Sequence, residues 1–101
     1  MTTLNPPQNC RSMTELRAEI DALDTEIVDL LVLRASYIDR AIALKPSEGL
    51  PARIPERVDE VISKVSHTAR DRGLDPQLVE GLWRQLIDWS IDREARVIDR
   101  E

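Results

Sequence analysis

Residues 16–44 read LRAEIDALDTEIVDLLVLRASYIDRAIAL, and the spacing inside this stretch decides the fold class. Leu16, Ile20, Leu23, Ile27, Leu30, Arg34, Tyr37, Ala41 and Leu44 step by four and three along one seam. That period belongs to a helix whose apolar stripe packs on partner helices. Arg34 breaks the stripe. A guanidinium cannot shed its proton, and burying it unpaired is costly enough to demand an anion. Lys45 follows eleven residues later, which at about 100° per residue returns to nearly the same face, about 16 Å along the axis. Two cations on the inward side of one helix suggest a buried anionic ligand. An ion pair with an acid on another helix explains Arg34 equally well.

Working outward, Ser12-Met13-Thr14-Glu15 forms a capping box at the start of this helix, with Ser12 accepting from the Glu15 amide and Glu15 reaching back. Pro46 predicts an end near Leu44. Roughly 30 residues at 1.5 Å each make about 45 Å of helix. A compact chain of this size has a radius of gyration of about 13 Å, so the helix is too long to be covered by its own chain. A second copy is the simplest cover, and a homodimer is expected.

Residues 45–54, punctuated by Pro46, Gly49 and Pro51, read as a loop. A second helix starts with Pro55 at its first position, carries Val58, Val61, Ile62, Val65 and Ala69 on one face, and closes at Gly73 as a left-handed cap. Asp75-Pro76 then opens a third helix, with Leu74 and Val79 placed for a hydrophobic staple. This helix runs to the end through Leu82, Leu86, Trp89 and Val97. The expectation is an all-α chain: an irregular N-terminal segment over 1–11 and one helical domain over 12–101.

Composition narrows the function classes. The 101 residues include two Trp, one Tyr and no Phe, so the core must be aliphatic. Nineteen acids against fourteen bases leave a net charge near −5, and no basic run interleaved with aromatics tracks a nucleic acid. A small anionic substrate remains compatible, because a pocket can be locally positive on an acidic chain. No apolar stretch approaches the roughly 20 residues of a membrane span, and Met1–Asn9 lacks the charged start and apolar run of a signal peptide. The lone Cys10 fits a reducing compartment, so a soluble cytoplasmic protein is expected. His67 is the only histidine; it reads as a solvated helix-face residue, and no metal site follows from it. Trp83 and Trp89 read as core or interface anchors.

In the third helix the row Leu82, Leu86, Ser90, Glu94 begins apolar and ends polar. Either the helix end emerges into solvent, or Ser90 and Glu94 line the polar wall of a pocket. In the second case burial favours the protonated carboxyl, a hydrogen-bond donor near neutral pH. Arg57 and Arg17 each sit in the first turn of a helix, where the dipole disfavours cations; that suggests a partner, and a plain surface arginine stays open as the alternative. Arg17 lies about 100° from Arg34 by ideal helix counting, so a dimer could bring it into its neighbour's site.

Leu16-Arg17-x-x-Ile20-Asp21-x-Leu23-Asp24, Leu30-Leu31-x-x-Arg34, Lys45, Pro55-Glu56-Arg57 and Ser90-x-x-x-Glu94 together resemble the all-helical class of chorismate mutase. The resemblance covers the chain from about Ser12 to Glu94. It implies an intertwined homodimer of three-helix chains, with each long first helix spanning two active sites. It further implies that Arg34 and Lys45 serve the pocket of their own protomer, that Arg17 reaches the other protomer's pocket to hold a substrate carboxylate, and that Arg57 and Ser90 bind substrate. Lys45 would flank the substrate's ether oxygen and Glu94 would stand opposite, at a position where relatives carry glutamine or glutamate. Catalytic roles therefore fall to Lys45, Glu94 and Arg34.

Two positions depart from that pattern. Ile54 stands where many mutases have an aspartate, and Val58 where they often have a glutamate. Both changes, with Pro-Glu-Arg-Val and Gly73-Leu74-Asp75 followed by Val79-Glu80-Gly81-Leu82, also resemble isochorismate pyruvate lyase. Ser90, Glu94 and the Lys45-to-Arg57 spacing resemble the mutases more closely.

The rearrangement the resemblance implies, chorismate to prephenate, is a [3,3]-sigmatropic shift needing no nucleophile, metal or cofactor. It asks for a dicarboxylate held in its compact diaxial chair and for donors beside the breaking ether bond. Arginine forks suit the carboxylates. The lyase alternative uses a similar pocket to eject pyruvate from isochorismate. A non-catalytic helical dimer binding a metabolite or protein explains the long seam, but not two cations facing Ser90 and Glu94. The loop over 45–54 reads equally well as a lid closing on substrate and as a loose surface connection.

Overall fold

The computed structural model describes residues 4–99. A single 3-10 turn, Pro7–Asn9, precedes three helices: α1 Met13–Ser47, α2 Pro55–Asp71 and α3 Pro76–Ile98. No strand occurs among the described residues, and the all-helical expectation holds. The chain divides into two compact units that meet between Tyr37 and Ile38, inside α1.

The first unit is mostly α1. The Glu15 amide donates to Ser12 Oγ at 3.1 Å, the predicted N-cap. The reciprocal half differs, because Glu15 Oε2 accepts from the Arg11 amide at 2.7 Å. No α1 residue is buried. The predicted seam lies open: Ile20, Leu23, Ile27 and Leu30 are 42–64% exposed. Between Ile27 and Leu33 the exposed apolar side chains also include Val28, Leu31 and Val32, so this stretch is apolar around most of its circumference. A helix of that kind belongs inside a larger packing arrangement.

The end of α1 corrects the expected boundary. The helix passes through Lys45 and Pro46 to Ser47, so the linker is 48–54 and Lys45 is helical. Proline here removes only one amide from a turn already near its end. The Leu50 amide donates to the Lys45 carbonyl at 2.8 Å and the Gly49 amide to the Pro46 carbonyl at 3.1 Å. With Gly49 at φ 70°, this is a Schellman cap. Gly73, at φ 76°, closes α2 in the same way, as predicted, with Leu74 donating to Ala69 at 2.8 Å.

The second unit has its own core. Ala52, Ile62, Ile87 and Ile91 are buried together, with Val58, Val61, Trp83 and Ala95 packed against them. The α2 face is the predicted one. In α3 the packed row is Val79, Trp83, Ile87, Ile91, Ala95, at spacing four. Asp75 caps α3 by accepting from the Gln77 amide at 2.9 Å. Ser66, itself buried, ties α2 to α3 by donating to Glu80 Oε1 at 2.8 Å.

Leu82 is 48% exposed and therefore not a core residue. It lies one position, about 100°, off the packed row. Ser90 and Glu94 have the same offset yet are each only 3% exposed. Late α1 and the linker account for the contrast, reaching this end of α3 through Asp39–Arg93 and Lys45–Glu94. Trp89 is also a solvent-facing residue, half exposed, with the Arg93 guanidinium 5.4 Å above its ring.

Candidate active site

The helix end does not emerge into solvent at Glu94. Lys45, in the last turn of α1, places Nζ 2.6 Å from Glu94 Oε1; the two side chains are 19% and 4% exposed. A cation in the last turn suits the helix dipole. Nζ also donates to the Ala52 carbonyl in the linker at 2.7 Å. The Lys45–Glu94 contact is close but poorly aligned, and Glu94 Oε1 is buried without a hydrogen-bond donor among the described residues. Burying a carboxylate next to one ammonium offsets its charge but leaves its hydrogen-bonding capacity unmet. The pair is therefore equipped to accept a polar group between or beside its members.

Ser90 lies one helical turn before Glu94 and donates to the Leu86 carbonyl at 2.7 Å. Its burial puts its oxygen in the same covered end of α3. Asp39 and Arg93 brace this end from the outside, with Nε to Oδ1 at 2.6 Å and an Nη atom to Oδ2 at 3.2 Å. Arg93's hydrogen bond, before its charge, holds the Asp39 carboxyl below its usual range. Arg53 and Asp88 add an exposed pair at 3.2 Å.

The remaining expected residues fall elsewhere. Arg57 is exposed, and its guanidinium is engaged by Glu60, one helical turn on. That hydrogen bond, with Lys64 nearby, holds the Glu60 carboxyl below its usual range. The partner anticipated for Arg57 in the first turn of α2 is thus a local one in this structure. Arg34 is half-buried and Arg17 exposed, both in the first unit. Sequence reasoning singled out Lys45 and Glu94 but missed the Ala52 carbonyl, because a backbone acceptor carries no residue-type signal. His67 is exposed, as expected, with Nε2 3.3 Å from Asp71. No cluster suited to a metal ion occurs among the described residues, and no helix among them is long and apolar enough to cross a membrane.

The described chain is all-helical, with buried Glu94 meeting the partly buried Lys45 between its first and third helices. Residues 16–95 match the chorismate mutase type II family, and the chain belongs to that family of enzymes. It is 35% identical over 94 residues to isochorismate pyruvate lyase of Pseudomonas aeruginosa, covering 92% of this chain and 91% of the relative. It is 33% identical over 89 residues to 4-amino-4-deoxychorismate mutase of Streptomyces venezuelae, covering 88% and 86%. Against the T-protein of Enterobacter agglomerans it is 30% identical over 82 residues, 81% of this chain but only 22% of that longer protein. Lys45 and Glu94 both lie inside the matched region.

Proposed function

We propose that this chain is a chorismate mutase, converting chorismate to prephenate at a pocket built on Lys45 and Glu94. The carrying observation is that buried Glu94 meets the partly buried Lys45, with unmet hydrogen-bonding capacity on Glu94 Oε1, inside the region matching the family. In the reaction the ether C–O bond breaks as the new C–C bond forms, in one concerted step. Negative charge grows on the ether oxygen, and Lys45 Nζ supplies a donor to it. Glu94 stands beside Lys45 on the other wall of the pocket, where its carboxyl group faces the substrate. Arg34 and Ser90 of the same protomer, Arg57, and Arg17 of the partner subunit bind the substrate, the arginines gripping its two carboxylates. The long apolar α1 supports a homodimer, in which the exposed seam of one copy covers that of the other.

The decisive experiment supplies purified protein with chorismate and, separately, isochorismate, and identifies the products. Prephenate from chorismate is expected. Arg34→Ala lowers kcat/KM by at least about a hundredfold, the cost of removing a donor or charge aimed at the reacting group. Glu94→Gln keeps a polar side chain of the same size in place and should retain activity, whereas Glu94→Ala should lose most of it.

A second reading has its own support. Isochorismate pyruvate lyase is similar over nearly the full length, and Ile54 and Val58 depart from the mutase pattern in a way that resembles the lyases. Salicylate and pyruvate from isochorismate, with chorismate consumed far more slowly, would transfer the assignment to the lyase.

A further inference from the structure

Lysine ends in a freely rotating ammonium on a flexible stem, a poor device for aiming a donor unless something fixes it. Here the Ala52 carbonyl takes one N–H of Lys45 at 2.7 Å. Glu94 alone would satisfy the charge, so this second contact adds direction rather than neutralisation. Ala52 is a linker residue, yet at 1% exposure it is more buried than any other described core residue. Its methyl packs with Ile62, Ile87 and Ile91, the core between α2 and α3. Most carbonyls in a surface linker turn to solvent. This one is locked by its own side chain and turned onto the end of α1.

We propose that Ala52 is a positioning residue: its methyl, seated in the α2–α3 core, fixes the carbonyl that orients the Lys45 ammonium against Glu94. The inference rests on Lys45 belonging to the proposed site. The chain of contacts runs from the apolar core through the Ala52 methyl and carbonyl to Lys45 and on to Glu94. Two linker ends hold it in register, the Gly49 cap of α1 and Pro55 at the start of α2.

Ala52→Gly tests this, because it keeps the carbonyl, removes the methyl anchor and loosens the backbone. The expected result is a kcat lowered about tenfold, from a misdirected donor, with KM changed by no more than about twofold. A merely structural role would lower the melting temperature while leaving kcat per folded site intact. A second readout needs no turnover. The chain has only two lysines, Lys45 and the exposed Lys64. In the native protein the Lys45 ammonium should give a slowly exchanging 15N–1H signal, absent in Lys45→Arg, that broadens or vanishes in Ala52→Gly. An unchanged kcat, or an unchanged Lys45 signal, overturns the proposal. If neither chorismate nor isochorismate is consumed by the native chain, the functional reading fails, and the ammonium signal alone decides the positioning.

Discussion

The two compact units use apolar residues in opposite ways. Beyond Tyr37 the chain builds a core, with Ile62, Ile87 and Ile91 each under 10% exposed. Before it, Ile20, Ile27 and Leu30 are each more than 40% exposed. The two stretches have similar side chains and the same secondary structure, so the difference is one of partners. The α2–α3 hairpin brings its own second layer, whereas a single long helix cannot fold back on itself. Helices in water owe most of their stability to packing rather than to propensity. The second unit therefore has a core of its own, while the first has no buried apolar residue among those described.

The strongest way to break that comparison is Leu30→Asp. In a dimer the change is made twice and forfeits the burial of two leucines, about 3–6 kcal/mol together. The dissociation constant should rise by two decades or more, read by analytical ultracentrifugation, with helicity falling by circular dichroism. Unchanged association would show that the exposed seam is not the interface. Ile87→Ala, in the second unit, should cost about 2–5 kcal/mol of folding stability through the cavity it leaves. Denaturant unfolding would measure this, and the folded fraction should still dimerise.

Lys45→Ala tests the site itself. Removing one member of a buried pair costs roughly 3–5 kcal/mol, and the 19% exposure of Lys45 puts the expectation at the lower end. Activity should fall far more than stability, because the proposed reading makes Lys45 the donor to the breaking ether bond. The smallest effect belongs to Asp39. Its carboxyl is held below the ordinary range in the folded chain, chiefly by the Arg93 hydrogen bond. Its contribution is complete above the unfolded carboxylate value and disappears as pH falls through the lowered folded one. The native chain should lose a small increment of stability over that acidic window that Asp39→Asn does not lose. The pair is solvent-exposed, so high salt should shrink the difference.

Local chemistry made much of the fold legible. Ser12, Asp75 and Gly73 mark helix ends because a side-chain acceptor or a left-handed φ is needed there, and each does what its residue type demands. Pro46 misled, since a proline near a helix end is tolerated when a following glycine completes the cap. Arg57 shows the other limit: a cation in the first turn is legible from the sequence, but which of several nearby acids engages it is not, and the structure pairs it with Glu60.

By itself the sequence determined three helices, an aliphatic core, a long seam that one chain cannot cover, and a short set of charged residues in apolar rows. Periodicity specifies which residues share a face, because the helix repeat is built into the backbone. It does not specify which neighbour covers that face, or where along it the cover begins. Leu82 and Glu94 stand at the same offset from the packed row of α3, yet one is half exposed and the other buried. Only the tertiary structure decided between them, by bringing Lys45 and the Ala52 carbonyl to one end of α3 and leaving the other end bare.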